Sequence, residues 1–352
     1  MSSITTYHYK KPFTLESGKK LPELQIAYQT FGTLNAKKDN VIWACHALTA
    51  NADVADWWKG LVGDKYLFNP AEHFIICANV LGSHYGTTCP LDINPATGNP
   101  YYLSFPEFTI RDLSRVHQIL AEHLEITQIK VLIGGSLGGQ QAVEWAIADT
   151  IRIENLILVA CNACQTPWGI AFNESQRLAI KADRSFYSQH PDGGMKGLQA
   201  ARSIALISYR TYEAYNATQV ESVNDKTDDF RASSYQKYQG EKLCKRFNAF
   251  SYWYLTKAMD SHNVGRGRKS ITAALGSIQS NTLVIGIEND FLFPVTEQEF
   301  LGKHIPGAEF HSIKSAYGHD GFLIETDALT HIIGSFLKES SNKKIVKLHK
   351  IA

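Results

Sequence analysis

Five short runs of apolar, mostly β-branched residues recur along the chain, and within these runs polar positions do not alternate with apolar ones. Such runs predict β-strands that are covered on both faces, as in a mainly parallel sheet. Helical patterns lie between several of them, which predicts an α/β fold with the sheet between layers of helices. The predicted strands are residues 41–47, 74–80, 130–135, 155–160 and 282–287.

The clearest helical pattern is "TIRDLSRVHQILAEHL", residues 109–124. Thr109 and Asp112 have the spacing of a capping box, which predicts where this helix begins. Its apolar positions form a single stripe, as on an amphipathic helix; they are Leu113, Val116, Leu120 and Leu124. A second helix is predicted after Ser136, with a buried face formed by Ala142, Val143, Ala146 and Ile147.

The alternation of strands and helices stops between about residues 165 and 275. This stretch is rich in helix formers and aromatic residues, and it contains no convincing pair of strands. The strand pattern resumes after it. We therefore expect a helical lid domain at residues 165–275, inserted into one α/β core domain formed by residues 1–164 and 276–352.

Charge and hydropathy limit the partners that are expected. The 352 residues carry a formal net charge of +1, which gives no general attraction to nucleic acid or to a membrane surface. No apolar run approaches the roughly 18 residues that a spanning helix needs. The N-terminal residues lack the apolar core of a signal peptide. We therefore expect a cytoplasmic protein whose partners are small molecules.

Six cysteines are scattered along the chain, which predicts reduced core thiols and not a disulfide framework. The "CNAC" at residues 161–164 leaves a redox pair or half of a zinc site as the alternative. Neither a second CxxC nor a pair of histidines accompanies it. The sequence therefore predicts no metal site and no bound cofactor.

Four glycines surround one serine in "KVLIGGSLGGQQAVEWA", residues 130–146. The turn lacks the lysine of a phosphate-binding loop, and its glycines do not have the dinucleotide-binding spacing. Gly134, Ser136 and Gly138 match the G-x-S-x-G of a nucleophile elbow, which lies where a strand ends and a helix begins. The N–H of Leu137 would then lie at a helix N-terminus, facing a developing oxyanion. The alternative is a tight turn with an inert serine.

A nucleophilic serine needs a histidine as base and an acid that orients the histidine. In this fold the three residues occur along the chain in the order serine, acid, histidine. Asp290 lies in the loop after the last predicted strand, and His319 lies in a later glycine-flanked turn. Glu288 is the alternative acid, but we expect it to be held inside the sheet. The second oxyanion donor is predicted in the loop after the first strand, at the N–H of Leu48, where His46 is interpreted as structural.

Taken together, the motifs resemble the homoserine O-acetyltransferase family of α/β-hydrolase-fold enzymes, from about residue 13 to 340. The resemblance implies acyl transfer from acyl-CoA to the hydroxyl of homoserine in methionine biosynthesis, with acetyl-CoA as co-substrate and an acyl-serine intermediate. It also implies a homodimer with a helical lid. The motifs that carry it are "NVIWACHALT", "FPEFTIRD", "GGSLGGQQAVEWA", "LISYRT", "SHNVGRGR" and "YGHDGFLIET".

The resemblance also implies that Arg202 and Asp320 bind the substrate. A guanidinium suits an amino acid's carboxylate, and a carboxylate suits its ammonium. The chain departs from the family pattern at residues 51–54, at residues 88–92 and at Asn263. Succinyl-CoA as donor and serine as acceptor therefore stay open. An esterase that transfers the acyl group to water and a binding protein with an idle triad are the more distant alternatives.

Overall fold

A computed structural model describes residues 3–223 and 225–351. In these residues the chain forms ten β-strands and twelve α-helices. The strands are β1 Thr5–Tyr9, β2 Phe13–Thr14, β3 Lys20–Leu21, β4 Leu24–Phe31, β5 Val41–Cys45, β6 Phe74–Ala78, β7 Gln128–Gly135, β8 Arg152–Val159, β9 Asn281–Ile287 and β10 Glu309–Ile313.

The helices are α1 Val54–Trp57, α2 Ile110–His123, α3 Leu137–Ala148, α4 Pro167–Ala182, α5 Met195–Tyr209, α6 Tyr212–Gln219, α7 Arg231–Cys244, α8 Ala249–Asp260, α9 Ile271–Leu275, α10 Val295–His304, α11 Gly321–Ile324 and α12 Thr326–Ile351. Three short 3-10 helices occur at Tyr102–Ser104, Arg184–Tyr187 and Gly318–Asp320.

Eight of the strands form one sheet in the order β1-β4-β6-β5-β7-β8-β9-β10. β4 pairs antiparallel with both β1 and β6, and every other neighbouring pair is parallel. The five predicted strands are β5 to β9, which confirms the mainly parallel sheet. The antiparallel edge was not predicted, because the exposed and partly buried residues of β1 do not form an uninterrupted apolar run.

The core lies on both faces of the sheet. Along β5, Ile42 packs into one buried cluster and Trp43 into the other, because successive strand side chains point to opposite faces. All five residues of β5 are buried. Coverage on both faces is why the central strands have near-continuous apolar sequences. The predicted α/β-hydrolase architecture is confirmed.

The helix predicted at residues 109–124 is α2, and its capping box forms as expected. The Thr109 hydroxyl accepts from the Asp112 N–H at 3.3 Å, and the Asp112 carboxylate accepts from the Thr109 N–H at 3.1 Å. The same carboxylate accepts from the N–H of Glu16 at 2.9 Å. This helix start is therefore also tied to the N-terminal segment.

Helices α4 to α9 lie between β8 and β9, and the described residues within 165–275 form no strand. The end of this stretch returns to the core: Arg266 pairs with Glu16 at 2.8 Å, and Arg268 pairs with Glu144 of α3 at 2.9 Å. The division into core and lid domains stays a prediction. Within residues 3–223 and 225–351, none of the helices has the length and apolar character needed to cross a membrane.

Candidate active site

Ser136 lies at the junction of β7 and α3 with φ 56° and ψ −126°. A serine at this φ is in a sparsely populated region of backbone space, and such strain is common at functional sites. Two backbone hydrogen bonds hold it: the Ser136 N–H donates to Val159 O at 3.0 Å, and its carbonyl accepts from the Gln140 N–H at 3.1 Å. The predicted strand-to-helix elbow is therefore present at this position.

Close approach of the backbone explains the flanking glycines. A Cβ at Gly138 would lie 2.0 Å from the carbonyl oxygen of Cys45, at the end of β5. A Cβ at Gly134 would lie 2.2 Å from the carbonyl oxygen of Gly138. Both distances are far below van der Waals contact, so neither position has room for a side chain. The glycines let the elbow pack directly against the neighbouring strand.

His319, in the 3-10 helix after β10, contacts both other members of the predicted triad. Its Nε2 lies 2.9 Å from Ser136 Oγ, and its Nδ1 lies 2.6 Å from Asp290 Oδ2. Asp290 Oδ1 accepts from the N–H groups of Leu292 at 2.8 Å and Phe293 at 2.7 Å. The structure thus brings together a hydroxyl, an imidazole and a carboxylate that are far apart in the sequence.

The triad residues are shielded from solvent, with exposed fractions of 5% for Ser136, 4% for Asp290 and 3% for His319. The rings of Phe293 and Phe322 lie against the imidazole, each with its centroid 5.2 Å away. Packing of this kind restricts the ring to one orientation. Hydrogen bonds between these groups are therefore little weakened by water.

The structure does not place Glu288 as expected. Its side chain is exposed, where its carboxylate accepts from Ser312 Oγ at 3.1 Å and lies 4.0 Å from Lys314 Nζ. The expectation that it is held inside the sheet was wrong. β9 ends at Ile287, so Glu288 already belongs to the loop and turns towards the neighbouring edge strand β10.

Ser136 and His319 open into a cavity of about 440 Å³, and Leu48 lines the same cavity. Leu137 is the first residue of α3, and the N–H groups in the first turn of a helix have no partner within the helix. Both predicted oxyanion donors therefore belong to segments beside the serine. A larger cavity of about 730 Å³, lined by residues such as Tyr9 and Arg115, contains no triad residue.

Arg202 and Asp320 line the same cavity as Ser136. Asp320 Oδ2 accepts from Nε of Arg210 at 3.1 Å, which fixes its carboxylate. The guanidinium of Arg202 lies over the ring of Tyr209, 5.3 Å from the centroid. Positive and negative groups thus stand together at one side of the triad.

The sequence did not single out Tyr209, although it also lines the cavity, with its ring centroid 5.8 Å from that of His319. Burial raises the pKa of its hydroxyl, so the hydroxyl stays protonated and is available as a donor. Tyr209 follows Arg202 by seven residues on α5, close to two helical turns, which places both on one face. That spacing was a usable signal.

Two cations of the helical segment were missed as well. Lys242 and Arg246 line the cavity from α7 and the turn that follows it. Arg246 donates to the hydroxyl of Tyr85 at 2.6 Å and to the carbonyl of Thr49, next to Leu48. Helix-surface cations of this kind look like ordinary solvated residues in the sequence.

Cys161 and Cys164 are both free thiols. Burial raises the pKa of each, and Cys161 is fully enclosed against α3. Across residues 3–223 and 225–351, no group of three or more His, Cys, Asp or Glu side chains is arranged to hold a metal ion. Cys161 therefore has the environment of a core residue, whereas Cys164 is partly exposed.

Comparison with known proteins places this chain in a family. A model of the α/β-hydrolase fold matches residues 40–326. The homoserine O-acetyltransferase of Cyclobacterium marinum is 47% identical over 335 residues, which cover 95% of each chain. The chain belongs to the homoserine O-acetyltransferase family. The resemblance expected from the motifs is thereby confirmed.

Solved structures agree with the family. The homoserine O-acetyltransferase from Bacillus anthracis superposes with a TM-score of 0.89 at 26% identity, over 96% of this chain and 98% of that one. Esterase E22 superposes with a TM-score of 0.86 at 24% identity, over 96% and 100% of the two chains. At that identity the esterase shows the shared fold alone.

Proposed function

We propose that this protein transfers the acetyl group of acetyl-CoA to the hydroxyl of L-homoserine, through an acetyl ester of Ser136. The observation that carries the proposal is one cavity that Ser136, His319, Arg202 and Asp320 line together, with His319 hydrogen-bonded behind the cavity wall to Asp290. The three hydrogen-bonded residues Ser136, His319 and Asp290 supply an activated nucleophile. The two charged side chains, Arg202 and Asp320, suit the carboxylate and the ammonium of a free amino acid.

In the first step, His319 Nε2 takes the proton of Ser136 Oγ while the oxygen attacks the thioester carbonyl. The oxyanion of the tetrahedral intermediate accepts from the N–H groups of Leu48 and Leu137; removing one donor of this kind typically costs about 3–4 kcal/mol. Collapse of the intermediate breaks the C–S bond, and His319 returns the proton to the departing CoA sulfur. Asp290 holds the Nδ1–H of the imidazole throughout.

In the second step, the homoserine hydroxyl gives its proton to His319 and attacks the acetyl ester. The C–O bond to Ser136 then breaks, and Ser136 Oγ regains the proton. Arg202 holds the substrate carboxylate and Asp320 its ammonium, with Arg210 fixing the Asp320 carboxylate. Binding both ends of the amino acid aims its hydroxyl at the ester, which converts a bimolecular encounter into a positioned one.

Water competes with homoserine for the same ester, so the site must limit its entry. We assign this role to the helical segment 165–275 as a lid, since α5 contributes Arg202 and Tyr209 to the lining of the cavity that Ser136 and His319 also line. The same segment exposes large apolar side chains, among them Tyr212 at 79%. These support a homodimer that buries part of this surface. We place the enzyme in the cytoplasm, where acetyl-CoA and homoserine meet.

The test is release of free thiol from acetyl-CoA, propionyl-CoA and succinyl-CoA against homoserine and serine, with Ser136→Ala as the control. We expect acetyl-CoA with homoserine to give the highest kcat/KM, parallel initial-rate lines, and an acetylated Ser136 by mass spectrometry. Intersecting lines without an adduct would overturn the two-step route. Thiol release that homoserine does not accelerate would identify a hydrolase, and preference for succinyl-CoA or serine would correct the substrate.

A further inference from the structure

His46 is a buried residue beside the site, and the mechanism above gives it no role. It directly follows β5, two residues before Leu48, and its exposed fraction is 0%. Its Nδ1 lies 2.8 Å from the carbonyl oxygen of Ala47, and its Nε2 lies 3.0 Å from the backbone nitrogen of Val80. Both ring nitrogens are therefore engaged with backbone groups.

These two contacts determine which nitrogen carries the proton. The N–H of Val80 can only donate, so Nε2 must present its lone pair. In the neutral ring the proton is then on Nδ1, which donates to the carbonyl of Ala47. Burial lowers the pKa of His46 to about 4, so the ring is neutral at physiological pH. The tautomer therefore follows from the backbone on either side of the ring.

The accepting carbonyl belongs to the same peptide unit as the Leu48 N–H. A trans peptide is planar, so its C=O and N–H point in opposite directions, and fixing one aims the other. Accepting a hydrogen bond also polarises the peptide and makes its N–H a stronger donor. His46 therefore holds the peptide whose N–H, that of Leu48, is predicted to face the oxyanion.

A second side chain ties this loop to the elbow. The side-chain amide of Gln141 donates to the carbonyl of His46 at 3.1 Å and to the carbonyl of Leu137 at 3.0 Å. His117 Nε2 lies 2.8 Å from the side-chain oxygen Oε1 of Gln141 and holds the amide in this orientation. The segments that carry both oxyanion donors are thus linked. The carbonyl of the Ala47–Leu48 peptide accepts from the backbone N–H of Ala50 at 3.1 Å and receives its side-chain contact from His46.

We propose that His46 is a positioning residue for acyl transfer, which aims and polarises the N–H of Leu48 by donating from Nδ1 to Ala47 O. The inference rests on the proposed acyl-serine chemistry, but it does not depend on which acyl donor or acceptor is used. It assigns to His46 an effect on the transition state and little effect on substrate binding, since the oxyanion forms only after attack.

Two matched variants separate the two hydrogen bonds of the ring. In His46→Asn, the amide nitrogen can occupy the place of Nδ1 and donate to Ala47 O, while the acceptor for the Val80 N–H is lost. In His46→Gln, the longer side chain can accept from Val80 with its oxygen, while the donor to Ala47 O is lost. Each variant loses one buried hydrogen bond, so they are comparable controls for stability.

The readout is the burst of nitrophenol when nitrophenyl acetate acylates Ser136, measured with the melting temperature of each variant. Losing an oxyanion donor outright costs about 10²–10³ in kcat, so we expect His46→Gln to lower the acylation rate about 10–100-fold with KM nearly unchanged. His46→Asn should stay within about threefold of the unmodified enzyme, since it keeps the aimed peptide. Equal losses in both variants, or losses that follow melting temperature, would overturn the assignment.

A measurement on the unmodified protein needs neither variant to fold. With ¹⁵N-labelled histidine, we expect His46 as the neutral Nδ1–H tautomer across pH 6 to 8, and a spectrum of the opposite tautomer would refute the proposal. Failure of the proposed function is distinguishable, because nitrophenyl acetate reports on Ser136 whether or not acetyl-CoA and homoserine are substrates. Absence of thiol release with a normal burst would leave the role of His46 standing.

Discussion

Asp290→Asn replaces one carboxylate oxygen of the triad by an NH₂ group, and the structure determines the orientation of the new amide. Asp290 Oδ1 accepts from the N–H groups of Leu292 and Phe293, so an asparagine must keep its carbonyl oxygen on that side. Its NH₂ then faces His319 Nδ1, where the carboxylate oxygen was 2.6 Å away. Two donors cannot face each other, so the imidazole must move its proton from Nδ1 to Nε2.

The wrong tautomer abolishes base catalysis. His319 Nε2 would carry a hydrogen towards Ser136 Oγ, 2.9 Å away, and could not take the serine proton. In a Ser-His-Asp triad this change lowers kcat by about 10⁴, which corresponds to a barrier about 5.5 kcal/mol higher. The fold should be little affected, because both backbone hydrogen bonds to residue 290 remain.

The assay is thiol release from acetyl-CoA with saturating homoserine, together with the nitrophenyl acetate burst and a melting curve. Glu288→Gln is the matched control, since Glu288 is an exposed carboxylate in the same loop, bonded to Ser312. We expect it to stay within about twofold of the unmodified enzyme, as do most surface substitutions. An Asp290→Asn enzyme with more than a tenth of normal activity, or an equal loss in Glu288→Gln, would refute the reasoning.

Three further outcomes are expected. Gly138→Ala puts a Cβ 2.0 Å from Cys45 O, so activity should fall at least a hundredfold and stability by about 1–3 kcal/mol by melting, whereas the roomier Gly334→Ala should be neutral. Asp320→Asn should raise KM for homoserine about 10–100-fold and leave the nitrophenyl acetate burst unchanged; an equally reduced burst would contradict its assigned role. The free energy of unfolding, followed by urea titration, should decrease as pH falls from 6.5 towards 4, by about 3 kcal/mol for each buried neutral histidine. The reason is that such a histidine binds a proton at a higher pH in the unfolded chain than in the folded protein. A flat profile would contradict the buried neutral state of three histidines whose pKa is lowered from 6.5 to about 4, namely His46, His117 and His262.

The sequence by itself determined the features that depend on near neighbours in the chain. The apolar runs of β5 to β9, the capping box at Thr109 and the glycine–serine turn at Ser136 each need only a few consecutive residues to be recognised. The order of serine, acid and histidine then predicted which loops to compare. Periodicity and special backbone angles are local properties, so they are present in the sequence before any folding is considered.

The tertiary structure alone decided what long-range packing brings together. The Ser136–His319 contact joins residues 183 positions apart, and the need for glycine at position 138 of α3 comes from the carbonyl of Cys45 on β5. Neighbouring strands and loops also determine that Glu288 turns outward and that His46 contacts the Ala47–Leu48 peptide. Such contacts depend on how the strands are ordered in the sheet, and no short stretch of sequence encodes that order.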